Sequence, residues 1–158
     1  MTIDSRATRI PRAILRAVLD SNIYVAAYLS KNPRSPNKEL FRRWRNREFV
    51  LLTSDAILEE VIEKFNERGI DQKLTAALVA FLLTDAEFTD TPDTDIPTAI
   101  SGDPDDNQVL ACAMTGNADY LVTYDPHFDI LGGEHQGIRI VDALHFLYII
   151  RGDTKPEG

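Results

Sequence analysis

Four short apolar runs, interspersed with stretches of helical spacing, constrain this chain more than anything else in it. The runs are residues 14–19, 49–53, 120–123 and 138–141, with a shorter candidate strand at 87–89. None alternates polar with apolar residues, as a strand with one wet face would, so each must be covered on both faces. The stretches between them read as helices over 22–29, 37–47, 54–68, 71–83, 103–115 and 142–150. Such alternation predicts an α/β fold, a three-layer α/β/α sandwich with a mainly parallel central sheet. In sheets of this kind ligands bind outside the carboxyl ends of the strands, so the residues just after each apolar run are where chemistry belongs.

The chain's 158 residues suit one domain, expected over 13–152, between a flexible basic arm at 1–12 and a disordered tail at 153–158. The single cysteine, Cys112, leaves no intramolecular disulfide or cysteine zinc site. No apolar run has the length of a membrane span or of a signal-peptide core. A membrane is therefore not expected as a partner, and a reducing, cytoplasmic setting is. A net charge of −8 argues at first against nucleic acid, whose affinity rests on phosphate neutralisation. The charge is unevenly spread, however: residues 1–47 hold 11 basic and 3 acidic side chains, and the remainder 6 and 22.

Several carboxylates fall where the topology puts chemistry. Asp20 directly follows the first apolar run, and Asp125 follows the run at 120–123 by one residue. Either alone is a common turn or helix-capping aspartate. Asp106 carries more information. Asp103-Pro104 is a strong helix start, and Val109, Leu110 and Ala113 lie three, four and seven residues beyond Asp106, which puts its carboxylate on the apolar face in the first turn. Burying a carboxylate there is costly unless something pairs with it, and a cation would do so best. On the helix that Ser54 can cap, Glu59 and Glu60 flank the apolar face on opposite sides, and periodicity does not choose between them. Hard oxygen donors without cysteine or histidine suit Mg²⁺ or Mn²⁺. Ions so held can polarise a phosphodiester and activate water.

Four strings carry a family resemblance: VLDSN at 18–22, the spacing from Ser54 to Glu60, DPDDNQVLACA at 103–113 and ADYLVTYD at 118–125. In this order they resemble the PIN-domain ribonucleases, in particular the toxins of type II toxin–antitoxin systems, over about residues 13–150. The resemblance implies a metal-dependent endoribonuclease that cuts RNA with Mg²⁺ or Mn²⁺. It implies an acidic quartet of Asp20, Glu60, Asp106 and Asp125, so it selects Glu60 over Glu59. It also implies that Asn22 and Thr123 support the metal shell, with Asp129 a further outer acid, and it makes an antitoxin protein and a second copy of the chain expected partners. The segment Tyr124-Asp125-Pro126-His127 departs from the family's usual loop.

The remaining motifs are read from the residues. Asn37 is expected to cap the helix at 37–47, whose Lys38, Arg42 and Arg45 share one side, opposite Leu40, Phe41 and Trp44. That side is a candidate RNA-backbone contact or a plain solvated face. The arginines at 6, 9, 12 and 16 could add to it. His127, His135 and His145 have no companions for a zinc or nucleophilic site and read as loop or surface residues, while Leu144, Leu147 and Tyr148 are expected in the core. Two other functions fit parts of the pattern. One is a non-catalytic module binding RNA or protein through the same fold. The other is a haloacid dehalogenase-type phosphatase, but that chemistry normally needs an acid where Asn22 stands.

Overall fold

The computed structural model describes residues 14–100 and 102–153, so the 1–12 arm and residues 154–158 of the tail lie outside the described residues. Six strands form one sheet: β1 (Arg16–Leu19), β2 (Val50–Ser54), β3 (Glu87–Thr89), β4 (Tyr120–Val122), β5 (Glu134–His135) and β6 (Ile138–Val141). Their spatial order is β3-β2-β1-β4-β6-β5, and every pairing is parallel except β5 with β6. Ala17, Val18 and Leu19 of β1 and Leu121 and Val122 of β4 are all wholly buried, and since neighbours on a strand face opposite ways, both faces are covered. Among the described residues six α-helices flank the sheet: α1 (Ser21–Leu29), α2 (Pro36–Arg45), α3 (Asp55–Glu67), α4 (Gln72–Asp85), α5 (Pro104–Thr115) and α6 (Ala143–Arg151). Helix α5 lies against β1, β2 and β4, while α6 packs on β4 and against α2.

Strand order creates the important place in this fold. From β1 the chain works outward through β2 to β3, then returns across β1 to continue with β4 on its other side. The connections after β1 and β4 thus leave in opposite directions and open a crevice at the carboxyl ends of these two strands. Asp20 ends β1 and caps α1, its Oδ1 accepting from the Ser21 N–H at 2.7 Å. Asp125 follows β4 and caps a 3-10 helix, Pro126–Leu131, that the sequence reading did not foresee.

Most elements lie within a residue or two of their expected bounds, and the exceptions have physical reasons. Helix α2 is capped by Ser35, not Asn37, because Pro36 takes the first helical position, where its missing N–H costs nothing. Asn37 instead turns inward, and its Oδ1 accepts from the Tyr124 hydroxyl at 3.0 Å. The loop before α5 contains a 3-10 turn, Asp93–Asp95, and is clamped by Asn107, whose side chain bonds both the N–H and the C=O of Ile100 at 3.0 and 2.7 Å. Strand β5 was also not foreseen, since two polar residues carry no pattern. In α6 Leu147 is buried but Leu144 is exposed; Phe146 fills the core position, edge-on to Phe49 and tilted against Tyr120.

Arg16, a basic interruption in an apolar run, is a structural residue. Its guanidinium pairs with Glu87 and donates to the Gly116 carbonyl, while its backbone N–H bonds Asp119. It ties β1, β3 and the α5–β4 turn together at the amino-terminal edge of the sheet, opposite the acids. Among the described residues, no helix is long and apolar enough to cross a membrane.

Candidate metal centre

The carboxylates converge because three element starts meet at the crevice. Asp103 caps α5, accepting from the N–H groups of Asp105 and Asp106 at 3.1 and 3.3 Å. Pro104 sets the first turn, and the next positions bring Asp106 inward, only 4% exposed. Asp103, Asp106, Asp125 and His127 each offer one ligand atom, and all four atoms lie within 4.8 Å of one another. His127 belongs to this group because its Nδ1 lies 2.9 Å from Asp106 Oδ2. Its solvent-facing, unaccompanied reading from sequence is therefore corrected: the ring is exposed, but it has three carboxylate companions. The signal was too small to find, because a lone histidine two residues after Asp125 looks like any loop residue until α5 is folded against β4.

Asp20 is buried beside this group and held from two sides. The Thr123 hydroxyl donates to its Oδ2 at 2.7 Å, and Thr123 Oγ1 accepts from the Asp125 N–H at 2.9 Å. One hydroxyl therefore links the residues that end the two strands. The Asn22 amide lies 3.5 Å from Asp20 Oδ2, while its Oδ1 accepts from the Tyr124 N–H at 3.3 Å. Glu60, half-buried on α3 and outside the close group, feels the charges of Asp105 and Asp20 and has Lys64 Nζ 3.4 Å away one turn on, whereas Glu59 is exposed. Asp129 is exposed and outside the close group.

Crowding these groups sets their acidities. Burial pushes Asp106 up to about 7; the His127 hydrogen bond opposes this, and the charges of Asp125 and Asp103 add to it. Burial likewise raises Asp20 against the Thr123 and Ser21 hydrogen bonds, and raises Glu60, with Asp105 adding repulsion and Lys64 offsetting part. Asp103 moves the other way: partial burial would raise it, but the N–H groups of Asp106 and Asp105 hold it down. His127 is raised by its bond to Asp106 and by the charge of Asp125. The site thus holds excess negative charge, which the exposed His127 imidazole and, on the Glu60 side, Lys64 offset only in part. Oxygen-rich, acidic and partly buried, the donor set fits a divalent cation.

The basic face of α2 does not border the site evenly. Lys38 lies in the first turn, beside Asn37 and its bond to Tyr124. Arg42 donates to the Pro33 carbonyl at 3.2 Å. Arg45 lies over the Phe81 ring at 4.2 Å and lines a cavity with Ile14 and Asp85, toward the amino-terminal edge of the sheet. Lys64 of α3 is the cation whose charge acts on both Asp20 and Glu60. A cavity of about 450 Å³ between α1 and α3 is lined by Asn22, Lys64 and Arg68 among others, and Asn22 is also a neighbour of Asp20. Lys64 and Arg68 follow Glu60 at four-residue intervals, a pattern legible in the sequence once Glu60 is placed at the site.

A switch-point crevice in a parallel sheet, lined by carboxylates from two strand ends and one helix start, defines an acidic-site α/β domain. The PIN domain profile matches residues 16–127, and the chain belongs to that family. No curated protein matches it in sequence. Solved structures with a similar fold include VapC20 of Mycobacterium tuberculosis, a toxin described as cleaving the sarcin-ricin loop. It is 17% identical, with a TM-score of 0.55 over 78% of this chain and 98% of that one. VapBC2 of Rickettsia felis, bound to a DNA fragment from its promoter, is 18% identical, with a TM-score of 0.54 over 80% and 97%. FitAcB of Neisseria gonorrhoeae is 15% identical, with a TM-score of 0.52 over 82% and 99%. At such identities the likeness is one of fold.

Proposed function

We propose that this chain is a metal-dependent endoribonuclease acting as the toxin of a toxin–antitoxin pair. One observation carries the reading: Asp106, almost wholly buried, faces Asp103 and Asp125 in the switch-point crevice, an arrangement whose charge calls for a cation. Membership in the PIN family and the fold shared with a toxin that cleaves an RNA loop support it.

In this reading Asp20, Asp106 and Asp125 hold Mg²⁺ or Mn²⁺, and Glu60 completes the site directly or through water. When bound, the ion would supply Lewis acidity toward the phosphodiester and would lower the pKa of the attacking water. Thr123 and Asn22 keep Asp20 aimed into the crevice, so little reorganisation is needed when charge develops there. Asp106, with its raised proton affinity, would have to give up its proton to hold a cation. RNA phosphates approach from the side of Lys38 and Arg42, and from the Lys64 and Arg68 side of the α1–α3 cavity. An antitoxin protein would cover this surface in the resting pair, and a homodimer in the cytoplasm is the working state we assign.

The test is cleavage of RNA by the purified chain with and without Mg²⁺ or Mn²⁺, beside Asp20→Asn. Cleavage that needs the ion and is lost in the variant is expected. Equal cleavage in excess chelator, or by the variant, refutes the mechanism. RNA binding without turnover at any concentration of ion would make the chain a binding module.

A further inference from the structure

The carboxylates assigned to the ion do not include His127, yet its ring nitrogen sits among the donors. Nδ1 lies 2.9 Å from Asp106 Oδ2, 3.2 Å from Asp103 Oδ2 and 3.3 Å from Asp125 Oδ1. Adjacent donors on an octahedral ion with bonds of ~2.1 Å stand about 3.0 Å apart, and opposite donors about 4.2 Å. The three distances match adjoining corners of one coordination shell, and the limit of 4.8 Å on the whole group leaves room for opposite ones. The ring is brought there by local chain chemistry. Asp125 Oδ1 accepts from the His127 backbone N–H at 2.9 Å, and Pro126 fixes the turn between them. The side chain is 59% exposed, so no packing holds it over the acids. It stays for polar reasons, and the imidazole can move the short distance that ligation requires.

We propose that His127 is a nitrogen ligand of the site's divalent ion, making with Asp103, Asp106 and Asp125 a mixed imidazole–carboxylate centre that prefers Co²⁺ and similar transition ions to Mg²⁺. This rests on reading the crevice as a metal centre. Mg²⁺ takes oxygen donors and gains little from an imidazole, whereas Co²⁺, Ni²⁺ and Zn²⁺ bind nitrogen well. A histidine here therefore changes which ion wins, not merely how tightly any ion binds.

The test is calorimetric titration of the full chain with CoCl₂ and, separately, MgCl₂, for the parent, His127→Gln and His127→Ala, together with the visible absorption of bound Co²⁺. Circular dichroism checks the fold, which replacement of an exposed ring should leave intact. Both variants should lose on the order of tenfold or more in Co²⁺ affinity, while Mg²⁺ affinity changes less than about threefold. The Co²⁺ absorption band should shift as nitrogen is replaced by oxygen. An unchanged Co²⁺/Mg²⁺ affinity ratio overturns the proposal, whether both affinities stay, fall together or rise together. A joint rise would make His127 a counter-charge that leaves when the ion arrives. A parent that binds neither ion would remove the metal-centre reading itself, whereas binding with an unaltered ratio removes only the role of His127.

Discussion

Replacing Asp106 by Asn should make the metal-free protein more stable at alkaline pH while abolishing RNA cleavage. The side chain keeps its shape: Asn Oδ1 can still accept from His127, and its amide can donate to Asp103 or Asp125. What it loses is a buried charge. The Asp106 carboxyl is held at about 7 against an ordinary 3.8, so the folded state binds a proton that the unfolded state has already released. The contribution of this group to stability is present below about pH 4 and is lost as pH rises through about 7. At 1.36 kcal/mol per pKa unit, roughly three units set a ceiling of about 4 kcal/mol by pH 8. His127 is raised as well, so its pairing is lost in the same direction, and the two groups titrate together. A difference on the order of 2 kcal/mol or more in favour of the variant, about 5–10 °C in Tm for a chain of this length, is expected in chelator at pH 8 and should shrink toward pH 4. Saturating Mn²⁺ should reverse the order. The parent would gain ~2.7 kcal/mol at one hundred times its Kd, and the variant little. Thermal melts from pH 4 to 8, in chelator and in Mn²⁺, measure all of this. Asp106→Asn melting at or below the parent in chelator at pH 8, or a parent whose stability does not fall with pH, would refute the account of charge at this site.

Three further outcomes follow from the geometry. Thr123→Val removes the hydroxyl between Asp20 Oδ2 and the Asp125 N–H while keeping the shape, so metal affinity should fall roughly 10–100-fold with the fold retained; unchanged affinity by calorimetry would count against its orienting role. Gly116→Ala would place a Cβ 2.9 Å from Leu52 Cδ1 and 3.1 Å from the Cys112 carbonyl, a clash against core and backbone that should cost about 1–3 kcal/mol in urea unfolding. Joint replacement of Lys38, Arg42 and Arg45 by Ala should weaken RNA binding and flatten its dependence on salt. Lys38, next in sequence to Asn37 with its bond to Tyr124, is expected to account for most of the change and Arg45, over Phe81, for least. Single variants read by filter binding at several salt concentrations separate the three.

Helix α5 shows how far local sequence carries. Its cap, its proline and the spacing from Asp106 to Ala113 place both its start and the inward carboxylate, because an N-terminal cap is a matter of a few adjacent residues. Helix α2 has the same signal, Ser35 before Pro36, two residues ahead of the expected cap Asn37, whose partner Tyr124 lies 87 residues away. Arg16 and Gly116 are of this second kind. Nothing adjacent in the chain marks either as structural, and only strand pairing brings Glu87, Leu52 and Thr89 against them.

By itself, then, the sequence determined the layers, the parallel sheet, the strand-end positions of Asp20 and Asp125, and the inward face of Asp106. Each follows from periodicity or from a turn a few residues long. Tertiary structure alone decided which donors meet. Asp103 and His127 join Asp106 and Asp125 because the α5 start and the turn after β4 share one crevice, and Asp20 is tied to them through Thr123, 103 residues away. Attraction between a carboxylate and its partner falls off over a few ångströms, so it is set by distance in the fold and leaves no periodic trace along the chain.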